Sequence, residues 1–352
     1  MITLSHLRDL FNQNNMKYLF SPMRILLRKG IFLTFPLIVR KKNKYLLLTY
    51  DNFAFPFSDG QFAQLHRLIA ISALGNYFKC NVNIPKLSDL TITPLDNFKK
   101  NYQLQNQIEA LDGLFKFKKK KIKRFKYIQI QFLTTSKFLR FYIFSRIFKQ
   151  NITLGISNPF PIIEVFPEIY SSSKPSLQHK QRTKLPHIKK NLIQVSIHIR
   201  RGVYSSHVTP GELNPRVLPL TYFQERLLQI FAQIDLSKKI VVNIYTDAPK
   251  KTIFFKVPKS QLDRYRREFK LIDNKMLKVE GETFDYLIKN FPQARFNIYR
   301  GGNAIESFFS LISSDFLIMS RSSMSFVAAL YSKGKIIYPP GFWHKPLKSW
   351  IK

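Results

Sequence analysis

Short apolar runs of strand length alternate with segments of helical periodicity along most of this 352-residue chain, and that alternation limits the possible folds more than any other feature. Residues 44–50 read as a buried strand and 51–60 as a loop. Residues 61–78 read as a helix, because Phe62, Leu65, Leu68, Ile69, Ala73 and Tyr77 recur at three- and four-residue spacing. Strand character resumes at 80–84, and a strand–helix–strand unit of this kind builds a parallel sheet. Residues 127–133 alternate as a strand, and 138–148 read as a core helix with Arg140 and Arg146 on its polar side. The pattern returns later, with strands at 192–199, 240–245, 316–319 and 335–338 and helices at 220–234, 304–313 and 325–331. Between the two series, residues 170–190 are rich in Ser, Pro and Lys and read as a linker or surface loop. The expected organisation is an N-terminal extension (1–45), a first α/β domain (46–185) and a second (186–352), which suits a chain of this length.

A hydrophobic content of 45% and an aromatic content of 14% exclude a disordered chain. The net charge is +36 and both halves are basic, so the surface attracts polyanions: nucleic acid, anionic lipid or anionic glycan. Residues 116–126 alone carry eight Lys or Arg, a run that reads as a solvated face or a phosphate contact. The single cysteine, Cys80, lies in an apolar stretch; it allows no internal disulfide and reads as a buried, inert thiol. Residues 1–17 lack the apolar core of a signal peptide. The apolar run 30–39 is shorter than the roughly 20 residues a bilayer requires, and Pro36 interrupts any helix there. A cytoplasmic protein with peripheral contact to an anionic membrane surface is the expectation.

Three segments carry chemistry. At 198–202 the run His198-Ile199-Arg200-Arg201-Gly202 ends a strand, where α/β folds bind phosphorylated ligands and where Arg grips a diphosphate bidentately. Side chains alternate along a strand, so one Arg faces the ligand side with His198 only while the strand continues. At 320–325 the segment Ser320-Arg321-Ser322-Ser323-Met324-Ser325 joins a strand to a helix, where hydroxyls and free N–H groups form an anion site; helix capping accounts for one Ser. At 59–67, Gly60 opens a helix that carries His66 and Arg67 in its second turn. Candidate bases for activating an acceptor hydroxyl are His207, Glu212 and Asp59, none singled out by spacing. The chain has no Asp-x-Asp pair, no Walker loop, no His/Cys ligand cluster and no Gly-x-Ser-x-Gly elbow, so neither a metal nor a cofactor is expected.

Taken in order, these segments resemble the GDP-fucose-dependent α-1,2/α-1,6-fucosyltransferase superfamily. Its His-x-Arg-Arg-x-Asp strand end is similar to His198-Ile199-Arg200-Arg201-Gly202-Val203, with Val203 where the family has Asp. Its Gly-rich loop leading to Gln-Leu-His is similar to Gly60 through Gln64-Leu65-His66-Arg67. Its Ser-Ser-aromatic-Ser helix start is similar to Ser322-Ser323-Met324-Ser325 followed by Ala328-Ala329. The resemblance implies a GT-B-like α/β architecture, two Rossmann-like domains facing a cleft, with the acceptor on the first and the nucleotide sugar on the second. It implies inverting, metal-independent fucosyl transfer from GDP-fucose, the donor substrate, to a glycan acceptor. Donor contacts would come from His198, Arg200, Arg201, Gly202, Ser322, Ser323, Ser325, Gly60, His66 and Arg67, and His207 or Glu212 would be catalytic. The alternatives are a nucleic-acid or polyanion-binding protein, suggested by the charge, and an inactive transferase fold kept as a binding module, suggested by Val203.

Overall fold

The computed structural model describes residues 42–51, 61–90, 108–117, 126–178, 191–201, 217–256, 276–279 and 281–351. Two parallel sheets organise them. The first is built from β1 (Asn43–Tyr50), β2 (Cys80–Asn83), β3 (Lys126–Phe132) and β4 (Ile152–Asn158), in the order β2-β1-β4-β3. Helix α1 (Gln61–Tyr77) links β1 to β2, and α2 (Thr135–Ile147) links β3 to β4. Both connections step across the sheet in the same direction, so right-handed crossovers place both helices on one face. Phe78, just past α1, and Phe138 of α2 meet there at 4.5 Å between ring centroids. The side chain of Thr134 caps α2 by accepting the Lys137 N–H, and Phe138, Leu139 and Tyr142 turn inward, making α2 a core helix.

Two short helices follow β4: α3 (Phe160–Val165) and α4 (Glu168–Ser173). The second occupies the start of the stretch expected to be a linker. Its serines read as loop formers, yet Ser171 and Ser172 bond back to the Glu168 carbonyl, each at 2.9 Å, and Ile169 and Tyr170 are buried against α1. Tertiary burial of two large side chains outweighs the weak local preference of the serines. The expected boundary at 185/186 and residues 1–41 of the expected extension 1–45 lie outside the described residues, and β1 begins at Asn43, inside that extension.

The second sheet has the order β11-β10-β5-β6-β9, with every pair parallel. Its strands are β5 (Leu192–Ile199), β6 (Lys239–Thr246), β9 (Ala294–Arg300), β10 (Phe316–Ile318) and β11 (Lys335–Ile337). An antiparallel pair, β7 (Ile253–Lys256) and β8 (Met276–Val279), lies between β6 and β9 in the chain. Helix α5 (Leu220–Phe231) links β5 to β6, and α6 (Asp285–Asn290) precedes β9. The return connections carry α7 (Ala304–Ser313) and α8 (Ser323–Tyr331). Because they step the other way, α7 and α8 cover the opposite face from α5. The side chains of β5 divide accordingly: Val195, Ile197 and Ile199 join the core beneath α5, while Ser196 and His198 point toward α7 and α8.

The two halves share a hydrophobic core. One continuous cluster includes Leu65, Leu68 and Ile69 of α1, Phe308 of α7, Phe326 and Val327 of α8, and Trp350. Both α1 and α8 start at the carboxyl edge of their sheet, and His66 in the second turn of α1 meets Phe326 in the first turn of α8 at 4.7 Å. The carboxyl edges of the two sheets therefore face each other across this helix pair. Among the described residues, no helix is long and apolar enough to cross a membrane. Cys80 is buried, and desolvation pushes its thiol up, away from the reactive thiolate.

Candidate functional site

The chain leaves β5 toward β6 on one side, while β10 pairs with β5 on the other, so a topological switch point lies between β5 and β10. Ligands of parallel α/β sheets bind at the carboxyl ends of strands at such a point. Here His198, the penultimate residue of β5, meets the segment joining β10 to α8. Its Nδ1 lies 2.9 Å from Ser325 Oγ and 3.1 Å from Ser320 Oγ, and the two hydroxyls are 3.3 Å apart. Ser325 also donates toward the Ser320 carbonyl at 3.2 Å. All three side chains are buried, and burial, the largest cause, lowers His198 to about 4, so the imidazole is neutral at pH 7. This knot ties the end of β5 to the first turn of α8. Ser322 is the N-cap, accepting the Met324 N–H at 3.3 Å, and Ser323 opens the helix half-buried beside it.

Beyond Ile199 the two guanidiniums separate. The Arg200 side chain is partly exposed and pairs with Asp247 at 2.5 Å. Arg201 is only 8% exposed; its Nη1 donates to the Leu218 carbonyl at 2.9 Å and to the Arg200 carbonyl at 3.3 Å. Its backbone N–H donates to Asp247 Oδ1 at 2.7 Å. Burial lowers the Arg201 pKa, while Glu282 and Asp247 act against that, and a guanidinium so placed remains a cation. Asp247 thus fastens both arginines from the end of the adjacent strand β6. The arrangement brings two cations and the N-terminus of a nine-residue helix to one sheet edge, a combination suited to a phosphorylated ligand.

His66 and Arg67 lie on the other side of the first turn of α8. His66 is fully buried among Phe160 (4.5 Å), His344 (4.6 Å), Phe326 (4.7 Å) and Tyr170 (5.7 Å), with Tyr170 Oη 2.7 Å from its Nε2. Burial first, then His344 and Arg67, hold His66 well below its usual range, and burial with Arg67 lowers His344 to about 3. Arg67 is buried as well. These groups join the halves at the seam, with consecutive residues Ser325 and Phe326 reaching His198 and His66 respectively. Gly60, Gly202, Val203, His207, Glu212 and Asp59 lie outside the described residues.

Three participants were not identified from sequence. Asp247 follows the apolar run of β6, and its position at a strand end was the available signal. Ser320 stood within the serine segment without a role of its own. His344, in the irregular C-terminal segment, carries no local signal.

No protein-family model matches the sequence, and no curated protein does. Among solved structures, the chain is similar to a mutant of Arabidopsis thaliana FUT1 in complex with GDP, at 9% identity and a TM-score of 0.36, covering 93% of this chain and 79% of that one. It is similar to POFUT1 in complex with GDP at 10% identity and a TM-score of 0.37, covering 84% and 96%. It is also similar to the E. coli heptosyltransferase WaaC with ADP-2-deoxy-2-fluoro heptose, at 12% identity and a TM-score of 0.31, covering 87% and 91%.

Proposed function

We propose that this protein is a GT-B-type glycosyltransferase that transfers fucose from GDP-fucose to a glycan acceptor with inversion. One observation carries the reading: the His198–Ser320–Ser325 knot joins the arginine-bearing strand end to a helix N-terminus at the switch point of the second sheet. In the reaction an acceptor hydroxyl attacks the anomeric carbon, the bond from that carbon to the β-phosphate oxygen breaks, and GDP leaves with the bonding pair. The hydroxyl proton passes to a base, for which His207 and Glu212 are the candidates. Charge grows on the departing diphosphate. Fixed cations and helix N–H groups aimed there stabilise the transition state more than the ground state. Arg200 and Arg201 take that role, Ser322 and Ser323 line the phosphate side, and His198 and Ser325 are positioning residues that hold α8 against β5. His66 and Arg67 set the seam between the halves. Asp247 holds the arginine pair, which lends weight to a working clamp even with Val203 in the motif.

The test is calorimetric titration with GDP, followed by product analysis with GDP-fucose. A lost charge-assisted bond of about 1.5–3 kcal/mol weakens GDP binding by roughly 10- to 100-fold in Arg201→Ala. Arg201→Lys, which keeps the charge, retains part of the affinity, and a circular dichroism spectrum checks that both variants fold. Equal GDP affinity in wild type and Arg201→Ala would remove the assignment. The second reading, a polyanion binder, draws on the net charge of +36; steep, salt-dependent RNA binding indifferent to Arg201→Ala would favour it.

A further inference from the structure

The first half contains a recess of about 490 Å³ that plays no part in the clamp. It opens just past the carboxyl end of β2, between Ile84–Lys86 on one side and Asp112–Phe117 with Gln178 on the other. Its volume is in the range of small-molecule sites, roughly 300–1,000 Å³. Its walls are fastened independently of any ligand. The Asp112 carboxylate accepts the Leu87 and Ser88 N–H groups, the second at 3.1 Å, so it is occupied as a cap. The Lys116 N–H donates to Ser176 and the Gln178 N–H to Leu114, both at 2.9 Å, making a short antiparallel ladder. Phe115 at the base meets Tyr331 of α8 at 5.0 Å and Phe308 of α7 at 6.4 Å, and Tyr331 Oη donates to the Pro175 carbonyl at 2.8 Å. The recess is therefore preformed and braced against the half that carries the clamp.

The groups it presents are specific in kind. Lys86 and Lys116 are exposed and bring two positive charges to the recess against the single negative charge of Asp112, whose oxygens accept the Leu87 and Ser88 N–H groups. Phe117 is half-buried and offers a ring, and Gln178 offers an amide with both donors and an acceptor. A ring for the apolar face of a pyranose, an amide for its hydroxyls and two ammonium groups for a carboxylate or phosphate describe an acidic sugar. We infer that this recess binds an anionic saccharide. Its use as the acceptor subsite rests on the transferase reading; its binding chemistry does not.

The probe is a trigalacturonate, with maltotriose as the neutral counterpart, each titrated into the full-length protein by calorimetry. Acidic trisaccharide binds wild type and the distant control Lys289→Gln, and maltotriose binds at least tenfold more weakly. The double variant Lys86→Gln/Lys116→Gln loses at least tenfold in trigalacturonate affinity, the scale of a charge-assisted hydrogen bond, while GDP affinity stays unchanged. Equal affinities for the acidic and neutral sugars, or a double variant that binds trigalacturonate like wild type, overturns the site. Loss of trigalacturonate affinity in the double variant with no GDP binding to any form leaves the saccharide site standing and removes the transferase reading.

Discussion

If the His198–Ser325 contact ties the arginine strand to α8, the two residues, 127 positions apart, must be coupled in stability. His198→Ala removes a ring that meets two buried hydroxyls, at 2.9 and 3.1 Å. Ser325→Ala removes one of those hydroxyls and leaves Nδ1 with Ser320 alone. Each single variant loses buried hydrogen bonds while the remaining polar atoms keep a partner, at about 0.5–1.5 kcal/mol per bond, and His198→Ala adds a cavity cost of about 1–3 kcal/mol. In the double variant the contact is already gone, so the total falls short of the sum by about 1–2 kcal/mol, the coupling of residues in one hydrogen-bonded network. The assay is equilibrium denaturation in urea for wild type, both single variants and the double variant. GDP titration of the folded proteins runs alongside, with weaker binding expected in both single variants. Additivity within about 0.5 kcal/mol, the behaviour of independent sites, would refute the knot as the link between strand and helix.

Acid sensitivity follows from the buried imidazoles. The folded pKa of His198 is about 4 and that of His344 about 3, both below the ordinary 6.5. Between those values and 6.5 the unfolded chain binds more protons, so stability falls as pH drops from about 6.5 to 4. His344→Phe removes its share of that slope, read from denaturation curves across pH 4–7. Asp247→Asn loses a half-exposed ion pair and keeps an oxygen for the Arg201 N–H, so stability changes by less than about 1 kcal/mol. Asp247→Ala loses that backbone bond too and costs about 1–3 kcal/mol; the same urea experiment separates the two variants. In α1, a Cβ on Gly75 collides with Cγ2 of the buried Val82. Gly75→Ala therefore lowers the thermal midpoint despite its better helix propensity, by overpacking of about 1–3 kcal/mol, and adding Val82→Ala restores part of the loss.

The local pattern of the chain was enough to find most of the elements. The apolar run at 192–199 is β5 from end to end, and the runs at 240–245 and 335–338 mark β6 and β11 within one residue at each end. The periodicity at 61–78 is α1, and one serine of the 320–325 segment caps the last helix, which begins at Ser323, two residues before the expected start at 325. Such features are legible because burial every second residue, or every third and fourth, and a cap at a helix start are written by residues close together in the chain. The arginine pair was legible for the same reason, as a basic doublet where an apolar run stops.

Only the tertiary structure decided what surrounds these residues. Strand order, not composition, brought Asp247 beside Arg200 and Arg201, since β5 and β6 could have been separated without altering either run. Packing of α1 on α8 turned His66 from a helix-start residue into a sealed one, enclosed by Phe160, Tyr170, Phe326 and His344 from four distant segments. Burial of Tyr170 in the same contact made a helix of serines that read as a loop. A strand end or helix start is set by near neighbours, whereas the burial, charge state and partners of its side chains are set by the segments that happen to cover it, and those are distant in the chain.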